Sequence, residues 1–197
     1  MTRLTRSQVQ DRNRETVLEV ARAAFLRDGY VATSLASIAK EAGFTTGIVY
    51  SGFGSKADLA LGVVGRLQAE QIRALGERIG AVTKSPDMLD EVRQWALEAT
   101  ASGWVRFELE LLLDTMGDPR LAEAQTARQT DAFQQVVAVV RPRIPVDLLD
   151  DETLEVLAEA AVDFAIGVAI RQVVNPAASL EGFLRLLEPI VASITTA

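Results

Sequence analysis

Helix punctuation recurs along the whole of this 197-residue chain, and no segment shows the strict apolar–polar alternation of a half-buried strand. That restricts the fold to packed helices. Val17, Leu18, Ala21, Ala24 and Phe25 make one apolar face over about Val9 to Arg27. Asp28-Gly29 ends it, because Gly29 can take the left-handed conformation past a helix end. Ser34 opens a short helix through Ala42, which Gly43 ends, and Thr45 opens a third, shorter still. Ser55-Lys56-Ala57-Asp58 is a Ser-x-x-Asp cap, opening a long helix to about Ile79. Ser85-Pro86 and Asp118-Pro119 each set proline at the first helical position after an N-cap, where its missing N–H costs nothing. They open helices near 86–101 and 119–140, with another at 104–115 between. The run Arg141 to Pro145 is a break. Asp150, Asp151 and Glu152 place negative charge at the positive end of the next helix, which reaches about Val174. Asn175-Pro176 breaks the chain again and Ser179 opens a last helix. The expected fold is all-α, with about nine helices: three short-linked ones at the N-terminus and a larger helical body.

Composition narrows the chemistry. The chain has neither cysteine nor histidine, which removes disulfides, thiolate chemistry, the usual zinc sites and histidine-based triads. Glu108 and Glu110 are two apart and face different sides of a helix. Glu110 and Asp114 can share a face, but neither a nucleophile nor a metal partner accompanies them. No catalytic residue, cofactor or metal is expected. The apolar patch Ala160 to Ile170 is interrupted by Asp163 and is too short for a bilayer, which needs ~20 residues. MTRLTRSQVQ lacks the apolar core of a signal peptide, so the expected location is the cytoplasm, with no membrane partner. Net charge is −7, unevenly spread: residues 1–56 hold eight Arg/Lys against five Asp/Glu, and residues 57–197 hold twelve against twenty-two. A basic end on an acidic body points to a polyanion contact at that end.

Ser34 to Phe53 reads as a helix–turn–helix. Ala39 is small where the second helix crosses the first, and Gly43 suits the turn. Ile38, Ala42, Phe44, Ile48 and Val49 supply apolar packing beneath the first helix, and Phe53 points inward. The outer side keeps Thr45, Thr46, Gly47, Tyr50 and Ser51, groups suited to base edges and phosphates. Gly47 and Gly52 each cost ~1 kcal/mol in helix propensity, and lacking a Cβ they let backbone approach DNA closely. Ser55 and Lys56 start the next helix, whose free N–H groups favour phosphate, and Lys56 adds a charge there. The candidate DNA-binding residues are therefore Ser34, Thr45, Thr46, Gly47, Tyr50, Ser51 and Lys56.

The pattern resembles the DNA-binding domain of the tetracycline-repressor (TetR) family. It is carried by Val17-Leu18, Ala21, Phe25, Gly29-Tyr30, Ala32-Thr33-Ser34, Ile38-Ala39, Ala42-Gly43, Gly47-Ile48-Val49-Tyr50, Phe53 and Ser55-Lys56, within about residues 9–70. The resemblance implies an arm and DNA-binding domain over residues 1–54 and an effector-binding and dimerisation domain over 55–197. Its implied partners are double-stranded DNA bearing an inverted repeat, a small effector and a second copy of the chain. Arg3, Arg6, Arg12 and Arg14 could then form a phosphate-binding arm, or the first two a mere tail. The effector pocket it implies would use Trp95, Trp104, Phe107, Met116, Phe133 and Phe164, with Glu108 and Arg171 among the polar groups. The same residues could equally fill a core. Ala161, Ala165 and Val168, with the stripe Phe183, Leu184, Leu187 and Ile190, could cover a monomer's core; the resemblance favours a dimer face made by the last two helices. Gly62, Gly65, Gly76 and Gly80 weaken the long fourth helix, and a hinge or tight packing would each account for them. The function implied is a repressor released by a small apolar or aromatic compound, or else a DNA-binding protein of this fold that needs no inducer.

Overall fold

The computed structural model describes residues 5–82, 85–144, 147–172, 175 and 177–194. Arg3, the breaks at Pro145 and Pro176, the helix end at Val174 and the side chains of Ser85, Pro86 and Ile190 lie outside the described residues. Among the described residues there are nine α-helices and no strand: α1 Arg6–Asp28, α2 Leu35–Glu41, α3 Thr46–Phe53, α4 Lys56–Ala81, α5 Ser85–Ala101, α6 Trp104–Thr115, α7 Pro119–Val140, α8 Asp151–Gln172 and α9 Glu181–Ile194, with a 3-10 turn at Arg141–Arg143 after α7. α1 starts three residues before the expected Val9 because Thr5 caps it. The Thr5 hydroxyl accepts the Gln8 N–H at 3.3 Å, and the Gln8 side chain accepts the Thr5 N–H at 2.8 Å. Arg6, Arg12 and Arg14 consequently belong to a helix and not to a free arm.

Packing divides the chain into two compact units, Met1–Leu67 with Ser102–Thr126, and Gln68–Ala101 with Ala127–Ala197. In the first unit α1 packs on α2, α3 and α6. Its core joins Leu18, Phe25, Ile38, Val49, Leu59, Val63, Phe107 and Leu111, all almost wholly buried. Phe107 of α6 stacks on Phe25 of α1, ring centres 4.8 Å apart. Gly103 makes that approach possible: at φ +85° it starts α6 so close to α1 that a Cβ would stand 2.1 Å from the Leu26 carbonyl oxygen. α6 also holds the corner after α1. Tyr30 donates its hydroxyl to Asp114 at 2.6 Å, and the Val31 N–H donates to Glu110 at 2.8 Å. Glu110 is steadied in turn by Arg106 at 2.8 Å. The shared face of Glu110 and Asp114 is used for these bonds.

Buried residues of the second unit include Ile72, Leu75, Ile79, Ala96, Leu154, Ala158, Val168 and Leu184. α5 runs against α9 there, tied by Arg93 to Glu181 at 2.6 Å. Trp95 donates its indole N–H to the Gln71 carbonyl at 3.1 Å. Gly76 serves close packing, since a Cβ there would stand 3.2 Å from Val139 of α7. At Gly62 and Gly65 a methyl group has room, so tight packing does not require these two glycines.

Candidate nucleic-acid interface

The candidate DNA-reading residues lie on or beside the short helices α2 and α3 and at the start of α4. Ser34 caps α2: its hydroxyl accepts the Ser37 N–H at 3.0 Å, and the Ser37 hydroxyl accepts the Ser34 N–H at 3.2 Å. Gly43, at φ +75°, turns the chain, and the Phe44 N–H reaches back to the Ala39 carbonyl at 2.8 Å. α3 then leaves with Val49 fully buried and pinned in the core. Its other face is open. Tyr50 is 53% exposed, Thr45, Gly47 and Ser51 are exposed, and Thr46 is half-buried. Ile48 departs from expectation: it is 41% exposed, while its neighbour Val49 takes the core side of α3. Ala42 and Phe44 are half-buried.

Ser34, Thr46, Tyr50 and Lys56 come together around an open cleft of about 430 Å³, floored by Thr33 and Leu35. Thr45, Gly47 and Ser51 are not part of its lining. Ser51 returns its hydroxyl to the Ile48 carbonyl at 2.9 Å, and the Thr45 side chain makes no cap bond to α3. A Cβ at Gly47 would meet only the Thr45 hydroxyl oxygen, at 3.9 Å, and one at Gly52 nothing within 4 Å, so neither glycine is required by intrachain packing. The Lys56 ammonium stands 4.1 Å from the Tyr30 ring centre and donates to the Val31 carbonyl at 3.4 Å. Burial pushes Lys56 below its ordinary value, against the pull of Asp114 and Glu110. Burial, with the bond to Asp114, raises the Tyr30 phenol far above its own ordinary value, which keeps it a donor. Behind Lys56, Ser55 caps α4: its hydroxyl accepts the Asp58 N–H at 3.0 Å and donates to the Asp58 carboxylate at 2.6 Å. Arg120 of α7 binds the same carboxylate at 2.7 Å.

Two sets of contacts at this end of the molecule were not expected, since Arg14 had been expected in a phosphate-binding arm. Arg14 donates to the Gly52 carbonyl at 2.5 Å and lies over the Phe53 ring. α6 supports the corner that carries Lys56. The Thr5-x-x-Gln8 box was the available signal that α1, and so Arg14, is helical this far forward.

The expected effector residues are divided between the two units. Trp104, Phe107, Glu108 and Met116 belong to the first unit, Trp95, Phe133, Phe164 and Arg171 to the second. Phe107 is a core residue with no exposed surface, and Met116 is 66% exposed. Trp104 packs beside the first core, and its indole N–H is buried with no acceptor among the described residues. Phe164 stacks on Phe183 at 4.9 Å. Phe133 is half-buried and Arg171 exposed. Of the expected dimer-face residues, Val168 and Leu184 are buried inside the second unit, while Ala161, Ala165, Phe183 and Leu187 are half-buried.

A helix–turn–helix with an open, polar second helix is the arrangement found in DNA-reading domains. Comparison with known proteins sharpens the class. Residues 17–63 match the family of bacterial regulatory proteins named tetR. Over 90 residues the chain is 32% identical to the "Probable HTH-type transcriptional regulator ArpR" of Pseudomonas putida, a stretch spanning 46% of this chain and 40% of that protein. Among solved structures, a transcriptional-regulator structure from Rhodococcus sp. RHA1 superposes with a TM-score of 0.79 at 15% identity, over 94% of this chain and all of that one (100%). One from Saccharomonospora viridis, in complex with choline, gives 0.65 at 16%, over 92% and 96% of the two chains. The SmeT–triclosan complex gives 0.54 at 21%, over 93% and 89%. At such identities these structures share a fold. The sequence matches give residues 17–63 the character of a tetR-type domain, and the chain spans well under half the length of the curated relative it matches. No described helix is long and apolar enough to cross a membrane.

Proposed function

We propose that the chain acts as a homodimeric repressor, reading an inverted-repeat operator with α3 and released by a small apolar or aromatic effector. The observation that carries the DNA contact is the convergence of Ser34, Thr46, Tyr50 and Lys56 on one open cleft beside the exposed face of α3. Hydroxyls and an ammonium there suit phosphates, and Tyr50 and the bare backbone at Gly47 suit base edges. Arg/Lys excess in residues 1–56 adds attraction at that end. Selection of bound duplexes from a random pool tests this. An inverted repeat is expected with the native chain, lost in Tyr50→Ala and weakened in Lys56→Ala. No enriched sequence at low salt would refute it.

The unpaired Trp104 indole N–H supports an effector. A buried donor without an acceptor costs ~1–3 kcal/mol, and a ligand oxygen would relieve it. Choline and triclosan are held by two proteins of this fold. Titrating such compounds should quench tryptophan fluorescence and weaken the selected duplex; no change in either would remove the effector. A second reading, DNA binding without an inducer, draws on Phe107, whose complete burial in the first core takes it out of any pocket lining.

For the dimer, an outward apolar set supports the last two helices. Val156, Phe164 and Ile170 of α8 and Leu186 of α9 are 63%, 38%, 45% and 72% exposed. With Ala161, Ala165, Phe183 and Leu187 half-buried nearby in sequence, two copies could join as a four-helix face. Light scattering at micromolar concentration should give a dimer, and Val156→Glu with Leu186→Glu a folded monomer whose melting temperature no longer depends on protein concentration. A native monomer would end this part of the proposal.

A further inference from the structure

We infer that Arg14 is a positioning residue for DNA reading: from α1 it clamps the C-terminal end of α3, and it does so without itself contacting phosphate. The inference rests on the reading of α3 as the DNA-reading helix. Arg14 lies outside the segment matched to the family.

α3 is a weak helix by itself. It has eight residues, glycines at 47 and 52, an N-cap threonine without a side-chain bond, and no basic residue in its last turn. A helix this short is marginal in isolation, so its direction is set by what holds it. Val49 fixes its middle. Its last turn ends at Gly54, at φ +82°, with carbonyls that carry the negative end of the helix dipole. Arg14 answers that end twice. Its Nη1 donates to the Gly52 carbonyl at 2.5 Å, and its guanidinium carbon stands 4.2 Å from the Phe53 ring centre. One bond fixes backbone; the other fixes the side chain that packs the last turn against the core.

Solid packing does not do this work here. An open cleft of about 260 Å³ lies between α1 and α3, lined by Asn13, Arg14, Ile48, Ser51 and Phe53 among others. The guanidinium bridges the two helices along this gap. Only a planar fork can bond the carbonyl and lie on the ring together; lysine offers a point charge. Tilting α3 by a small angle would move Tyr50 relative to the groove, and base-edge hydrogen bonds tolerate little displacement.

Arg14→Lys and Arg14→Met in the full chain test this with two readouts. The first is amide hydrogen exchange over Val49 to Gly54 in DNA-free protein. The second is affinity, across salt concentrations, for a duplex recovered by the native chain from the random pool. A clamp predicts exchange faster by roughly three- to tenfold in both variants. It also predicts that both bind the duplex more weakly by a similar factor, with the salt slope unchanged, because no phosphate contact is lost. A phosphate contact predicts unchanged exchange, near-native binding by Arg14→Lys, and a slope smaller by about 0.9 in Arg14→Met. That pattern, or unchanged exchange in both variants, overturns the inference. If the native chain recovers no duplex, the DNA-reading role fails on that result alone, while the exchange data separately decide whether Arg14 holds α3.

Discussion

Gly47 separates folding from function by sign. In the free chain an added Cβ at this position meets only the Thr45 hydroxyl oxygen, at 3.9 Å, which is ordinary contact. Gly47→Ala therefore removes a helix-propensity deficit of up to ~1 kcal/mol at no packing cost. For a chain of this size that raises the melting temperature by about 2–4 °C. Were the glycine present for stability, there would be no reason to keep it. If it is present so that α3 can approach DNA closely, the same methyl group should weaken the selected duplex by tenfold or more, as a displaced bidentate base contact would. Gly54→Ala is the control for the first half. Gly54 needs φ +82°, so alanine there should lower stability by ~1–2 kcal/mol. Circular dichroism melts and fluorescence anisotropy against the selected duplex measure both halves. A Gly47→Ala chain that melts higher and binds as well as the native one would refute the close-approach argument. One that melts lower would refute the account of the free helix.

Three other outcomes follow from the first unit. Gly103→Ala places a methyl group 2.1 Å from the Leu26 carbonyl oxygen at a left-handed residue, and should cost about 2–4 kcal/mol in urea unfolding. Tyr30→Phe removes the hydroxyl bond to Asp114 and should cost ~0.5–1.5 kcal/mol, with the aromatic packing kept. The acid limb of stability comes in part from Asp58 and Glu110. Arg120 holds Asp58 below its ordinary value against burial; burial would raise Glu110, but the Val31 N–H and Arg106 outweigh it and leave it lowered. Carboxyls lowered by folding stabilise the chain above their ordinary values, 3.8 and 4.5, and lose that contribution as pH falls through the lowered ones. Unfolding monitored against pH should steepen below about pH 4, and Arg120→Gln should make that limb shallower; an unchanged limb would count against the Asp58 bond.

The helices were legible because their signals are local. Ser34 with Ser37, Ser55 with Asp58, and Asp118 before Pro119 each act within one turn, and each marks a helix start within a residue or so. The role of α6 was not legible for the opposite reason. Glu110 meets the Val31 N–H across 79 residues and Asp114 meets Tyr30 across 84. Spacing could place the two carboxylates on one face, but it carries no information about which remote corner that face will hold. Phe107 escaped for the same reason: an aromatic at helical spacing looks alike whether it lines a cavity or stacks on Phe25.

At the candidate site the division is finer. The exposed side of α3 could be read, since Val49 and Tyr50 differ in polarity and one must face in. Ile48 could not: it is as apolar as its neighbour Val49, and the sequence does not say which of the two takes the core side of so short a helix. The same ambiguity governs α8 and α9. An apolar stripe must be covered, but its own unit and a second copy satisfy it equally. Val168 and Leu184 are taken by the unit's core, at 4% and 2% exposed, whereas Val156 and Leu186 are left outside. Replacing the first pair therefore tests folding and replacing the second tests association. Arg14 joins both lessons. Its charge suggested a phosphate, yet its bonds run inward to Gly52 and Phe53. In the proposed reading, such a cation serves by holding α3 still and not by meeting phosphate.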